Sequence, residues 1–127
     1  MGRVALDSDS LIAIFKKSDK HHKTIVNRLF QSEEQIVISA IALSESLVHA
    51  YRVDHGEEMN ALISDWVDEI IDVNQRIAVF AAELRASDNL KLGDALISAT
   101  AITHHCTLLT FDKKLANATP GAELLVS

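Results

Sequence analysis

Short apolar runs of strand type alternate along this chain with longer segments of helical period, and that alternation narrows its fold more than any other feature. Residues 3–6 (Arg3, Val4, Ala5, Leu6), 35–38 (Gln35, Ile36, Val37, Ile38), 70–73 (Ile70, Ile71, Asp72, Val73) and 106–111 are strand-length and rich in β-branched or aliphatic side chains. Between them the apolar positions recur every three or four residues. Leu11, Ile12, Ile14 and Phe15 open one helix, for which Asp9 or Ser10 can serve as N-cap. Ile25, Val26, Leu29 and Phe30 mark a second over residues 20–30, and Ser39 can cap a third that carries Ile41, Leu43, Leu47, Val48 and Tyr51 and ends near Gly56. Met59, Leu62, Ile63, Trp66, Val67 and Ile70 give residues 57–69 an amphipathic stripe that suits a core or a dimer interface. Helices over 75–86 and 94–104 follow, and Pro120 with Gly121 marks a turn before an edge strand at 123–126. Strands alternating with helices imply one α/β domain over residues 1–127, a mostly parallel sheet flanked by helices in a three-layer α/β/α arrangement.

Against that framework five carboxylates stand out. Asp7 and Asp9 follow the first strand, Asp112 follows the strand at 106–111, and Glu45 and Asp94 ride on apolar helices. Ligands of open α/β sheets bind at the carboxyl ends of the parallel strands, where Asp7 and Asp112 fall. Asp94 lies in the first turn of its helix, while Glu45, two turns into its own, must reach the same rim from the side. Buried carboxylates repel one another unless a cation sits among them, so the set reads as a site for hard divalent metal ions, which prefer oxygen ligands. Taken singly each acid has a plainer role. Asp9 can be a helix cap as readily as a ligand, Asp94 can complement the helix dipole, Asp112 can open a surface turn before Lys113 and Lys114, and Glu45 can be a solvated helix residue.

The formal net charge is −6, of which these five acids supply −5, so the rest of the chain is nearly neutral. Composition therefore neither requires nor excludes a nucleic-acid partner. Residues 16–28 carry Lys16, Lys17, Lys20, Lys23 and Arg28 against Asp19, a local excess of positive charge suited to an RNA backbone or to a solvated face. The adjacent pairs His21–His22 and His104–His105 make poor chelates, because neighbours on a helix point about 100° apart. The single Cys106 opens an apolar run and reads as a buried thiol. No run approaches the ~20 apolar residues that span a bilayer and no signal-peptide pattern opens the chain, so a cytoplasmic protein without a membrane partner is expected.

The order and surroundings of the acids resemble those of the PIN-domain ribonucleases, especially the VapC-type toxins of toxin–antitoxin pairs. The resemblance is carried by Val4-Ala5-Leu6-Asp7-Ser8-Asp9-Ser10-Leu11-Ile12, by Ser44-Glu45, by Lys91-Leu92-Gly93-Asp94-Ala95-Leu96-Ile97-Ser98-Ala99-Thr100-Ala101 and by Leu108-Leu109-Thr110-Phe111-Asp112-Lys113-Lys114-Leu115. It implies a PIN-like fold in which Asp7, Glu45, Asp94 and Asp112 form an acidic pocket for Mg²⁺ or Mn²⁺, with Asp7 and Asp94 as the direct ligands and Thr110 helping to hold the site. Asp9 stands where the family often has Asn or Ser. The implied activity is metal-dependent endoribonuclease cleavage leaving a 5′-phosphate and a 3′-hydroxyl. The implied partners are RNA, a cognate antitoxin that covers the pocket or inserts a basic side chain into it, and a second copy of the chain; Lys16, Lys17 and Lys20 are candidate RNA contacts. A PIN nuclease of RNA processing would use the same site. Asp7-Ser8-Asp9 after a strand also resembles the aspartyl-phosphate motif of haloacid-dehalogenase-type phosphatases, with Asp7 as nucleophile and Asp9 as acid/base, a reading that leaves Glu45 unused.

Overall fold

Strand β1 (Arg3–Leu6) is the centre of a five-stranded sheet in the computed structural model, which describes residues 2–127. The remaining strands are β2 (Gln35–Ser39), β3 (Glu69–Ile71), β4 (Thr107–Thr110) and β5 (Glu123–Leu124). They lie in the order β3-β2-β1-β4-β5, and every pairing is parallel. Such a sheet is covered on both faces, and its central strands are accordingly apolar throughout: Val4, Leu6, Ile38, Leu108 and Leu109 have no exposed surface.

Parallel neighbours need crossovers, and helices supply them. α1 (Ser8–Phe15) and α2 (His22–Phe30) join β1 to β2, while α3 (Ala40–Arg52) and α4 (Gly56–Trp66) join β2 to β3. α5 (Gln75–Asp88) and α6 (Leu92–Thr103) return the chain to β4, and α7 (Lys113–Ala118) leads to β5. α1 packs on α2 and α3, and α3 on α4; α5, α6 and α7 form a second group. α3 also meets α6, a contact that matters for the site. Because β2 and β4 lie on opposite sides of β1, the chain reverses its winding direction there. The carboxyl ends of β1 and β4 flank that switch point, where a crevice is expected.

The alternation read from the sequence is the alternation found, with the sheet parallel throughout. Three local differences have physical causes. α1 is capped by Asp7, whose side chain accepts from the Ser10 N–H at 2.9 Å, rather than by Asp9 or Ser10. β1 ends at Leu6, as the sequence suggests, but the helix starts at Ser8, two residues earlier than a cap at Asp9 implies and three earlier than one at Ser10. α7 has no counterpart in the sequence pattern, because six residues with one buried side chain, Leu115, show no period. The stripe at 57–69 goes mainly into the core. Ile63 and Val67 are buried, Met59 and Ile70 pack on the core, and Trp66 meets Phe15 edge-on with ring centroids 5.5 Å apart, leaving Leu62 exposed. Cys106 is buried, and burial pushes its thiol upward in pKa. No helix among the described residues is long and apolar enough to cross a membrane.

Candidate active site

Asp7 is the best-fixed of the acids. The chain leaves β1 in extended conformation at this residue, and its buried side chain uses both oxygens. Oδ1 accepts from the Ser10 N–H at 2.9 Å, and Oδ2 from the Thr110 hydroxyl at 2.5 Å. Burial pushes the Asp7 carboxyl above its ordinary pKa; the bonds from Thr110 and Ser10 pull it down, and the charge of Asp9 pushes it slightly up. Thr110, fully buried at the end of β4, also accepts from the Asp112 N–H at 3.0 Å. One hydroxyl thus binds the acid that follows β1 to the backbone of the acid that follows β4. Ser10 adds a second tie, its hydroxyl donating to the Leu109 carbonyl at 3.4 Å.

Asp112 caps α7, its Oδ1 accepting from the N–H groups of Lys114 at 2.9 Å and Leu115 at 3.2 Å. The surface-turn role is therefore real, but it occupies Oδ1 alone, and among the described residues no hydrogen bond engages Oδ2. Glu45 arrives from α3, exposed, with Oε1 accepting from the Ser8 hydroxyl. Its other oxygen lies against Gly93, where a Cβ would collide with the carboxylate. Gly93 is thus the reason Glu45 can approach the first turn of α6, which carries Asp94. Asp94 is half-buried and its carboxylate, among the described residues, accepts no hydrogen bond. Burial raises its pKa, and the charges of Asp112, Asp7 and Glu45 raise it further against the lowering effect of Lys91. Four acids from β1, α3, α6 and β4 therefore bear on one rim.

Asp9 belongs less firmly. It lies exposed in the first turn of α1, caps nothing, and touches the site only through its charge on Asp7. The basic stretch also divides. Lys16, Lys17 and Lys20 are exposed on the loop between α1 and α2, whereas Arg28 turns inward to Glu34 at 2.8 Å and Glu123 at 2.6 Å and is not free to meet RNA. His21 and His22 point to different partners, the ring of Phe111 and the carbonyl of Ala13. Ser8, Ser10 and Gly93 are the site residues that the sequence did not single out. A hydroxyl beside the strand-end acid and a glycine beside Asp94 were the available signals.

Residues 4–119 match the PIN domain family. The chain belongs to that family. Solved structures similar to this PIN domain include a chain of a toxin–antitoxin complex from Klebsiella pneumoniae, 30% identical over 94% of this chain and 95% of that one, with a TM-score of 0.78. A chain of VapBC2 from Rickettsia felis, bound to a DNA fragment from their promoter, is 24% identical, with coverage of 95% and 96% and a TM-score of 0.70. VapC20 of Mycobacterium tuberculosis, a sarcin–ricin loop cleaving toxin, is 15% identical, with coverage of 91% and 94% and a TM-score of 0.75. The last two likenesses speak for the fold. No curated protein matches the sequence. Membership of the PIN family leaves the aspartyl-phosphate reading without support, and both Asp7 oxygens are already engaged in holding the site together.

Proposed function

We propose that this PIN domain is a divalent-metal-dependent endoribonuclease of the cytoplasm, the toxin of a VapBC-type pair. The observation that carries the reading is the convergence of Asp7, Glu45, Asp94 and Asp112 at the switch point of the sheet, where Asp94 feels the charge of the other three. Among the described residues no three His, Cys, Asp or Glu side chains are already gathered as a metal shell. The donor set nevertheless suits Mg²⁺ or Mn²⁺ in type: carboxylate oxygens only, mutually repulsive, with Asp94 unpartnered and one Asp112 oxygen free. Asp7 and Asp94 would be the direct ligands, with Glu45 and Asp112 completing the negative wall. Such an ion supplies charge neutralisation and Lewis-acid activation at a scissile phosphate.

The chain's own residues do the rest. Thr110 and Ser10 fix the Asp7 carboxyl by packing and hydrogen bonds, so its orientation need not be won when substrate arrives. Ser8 orients Glu45, and Gly93 gives it room. The exposed Lys16, Lys17 and Lys20 offer compensating charge to an RNA backbone that the acid rim alone would repel. A largely apolar cleft of about 390 Å³ between α1, α3 and α4 is lined by Leu11, Phe15, Met59 and Ile63, with Glu45 among its polar residues. It suits an antitoxin segment whose apolar face fills the cleft and whose basic side chain reaches the acids. A homodimer of this single domain completes the proposed assembly.

Incubation of the purified protein with end-labelled RNA in Mg²⁺ or Mn²⁺ tests the reading. Cleavage leaving 5′-phosphates is expected, abolished in Asp7→Asn and in Asp94→Asn while both remain folded, and only weakened in Asp9→Asn. Full activity of the Asp94→Asn protein would remove the carboxylate site as the source of cleavage.

A further inference from the structure

Beside the acid rim is a feature that the four carboxylates do not use. The His21 imidazole stacks on the Phe111 ring, with centroids 3.8 Å apart and planes inclined by 16°. Phe111 stands in the chain between Thr110, which holds Asp7, and Asp112, so the backbone that carries the ring is anchored at the rim on both sides. His21 is held as well. The His21 backbone N–H donates to Asp19 Oδ1 at 2.8 Å, the Asp19 backbone N–H donates to the Lys16 carbonyl at 2.9 Å, and the His21 Nδ1 shares a hydrogen bond with the Ser127 hydroxyl. The two rings line a cleft of about 340 Å³ together with Lys20, Lys113 and residues 124–127. Both lysines are exposed, and among the described residues neither is paired with an acid.

Flat ring surface with two free ammonium groups, on residues that flank Asp112 in the chain, suits one chemistry better than any other. A base finds a face to stack on, and the phosphates on either side of it find positive charge; an extended single strand presents both groups in every residue. Resting on the nuclease reading of the acid rim, we propose that this cleft is the subsite for an RNA nucleotide flanking the scissile bond, its base stacked against the His21–Phe111 pair and its phosphates held by Lys20 and Lys113. The site would place single-stranded RNA, whose bases are free to splay, and would reject a continuous duplex. His21, Lys20 and Lys113 are then positioning residues, and His21 belongs to substrate binding rather than to the chemistry.

The test measures binding and cleavage of a short single-stranded oligoribonucleotide and of a set in which each position in turn is abasic. Binding is followed by fluorescence anisotropy in an Asp94→Asn background. Adding His21→Ala is expected to weaken binding of the intact strand by roughly 5- to 150-fold, the range that base–aromatic stacking spans. One abasic position should cause a similar loss in the His21 protein and little further loss in His21→Ala. His21→Phe, which keeps a ring, should retain both the affinity and the abasic penalty. Lys20→Ala with Lys113→Ala should flatten the salt dependence by about 0.7 in slope for each phosphate no longer neutralised. If the parent cleaves RNA but no abasic penalty depends on the ring at position 21, the subsite is overturned and the nuclease reading stands. If the parent neither binds nor cleaves RNA, both fall.

Discussion

Replacing Thr110 by Val removes one oxygen and almost no volume, and that oxygen joins two of the four acids. It donates to Asp7 Oδ2 at 2.5 Å in a buried setting and accepts from the Asp112 N–H at 3.0 Å in a partly buried one. Loss of a hydrogen bond to a charged group costs about 1.5–3 kcal/mol, and the orphaned N–H, which water partly satisfies, adds at most about 1. With an unfolding entropy near 2.1 cal/mol/K per residue, 127 residues give roughly 4 °C in Tm for each kcal/mol, so a loss of about 2–4 kcal/mol lowers Tm by about 8–15 °C. The effect has a sign in pH. Asp7 already binds its proton more tightly folded than unfolded, because burial raises its pKa, so the parent loses stability as pH rises through that raised value. Without the Thr110 bond, which lowers it, the Asp7 pKa rises further. The gap between parent and variant is therefore widest at neutral pH and narrows as acid protonates Asp7 in both. Thermal unfolding of the parent, Thr110→Val and Thr110→Ser across this range reads the effect, with Ser keeping most of the stability. A neutral-pH difference below about 0.5 kcal/mol, or one independent of pH, would refute the role given to this hydroxyl.

Gly93→Ala places a Cβ where the Glu45 carboxylate lies, so cleavage should fall sharply while thermal stability changes little, since Ala favours a helix by up to ~1 kcal/mol over Gly. Arg28→Leu removes the pairs to Glu34 and Glu123. Because Arg28 holds the Glu34 carboxyl below its ordinary pKa, the parent's advantage in urea unfolding should be present at neutral pH and disappear as pH falls through that lowered value. Neutralising Lys16, Lys17 and Lys20 together should weaken RNA binding and reduce the slope of log K against log salt by about 0.7 for each phosphate left without its cation; an unchanged slope would make that loop merely solvated.

The parts of the site readable in the sequence were those set by local pattern. Asp7 and Asp112 follow apolar runs, and a parallel sheet places such residues at one edge. Asp94 is legible because it opens an apolar helix. The dependencies among them were not, because they run across the sheet and between layers. Ser8 meets Glu45 only where α1 crosses α3, and Gly93 matters only because α3 meets α6. Arg28 reads as one more surface cation until Glu123, far along the chain, closes on it. Asp7 rather than Asp9 takes the cap because the chain turns into helix directly after the strand end at Leu6, and the apolar period, which begins only at Leu11, does not fix where the first turn starts. The stripe around Trp66 was legible as core or dimer interface but not as one of the two, since burial of Ile63 and Val67 depends on how α4 lies on the helices beside it.

The central claim, that four carboxylates form a divalent-cation site, is tested most directly without any substrate. Melting is measured for the parent and Asp94→Asn side by side, with and without Mn²⁺. At a free concentration about 100 times the dissociation constant, binding to the folded state stabilises it by roughly 2.7 kcal/mol, several degrees in Tm for a domain of this size. The parent is expected to show that rise and Asp94→Asn to lose most of it. Without metal, the variant should melt at or above the parent, because one charge disfavoured by burial and by Asp112, Asp7 and Glu45 is gone. Equal responses of the two proteins to Mn²⁺, or no response in the parent, would contradict the account.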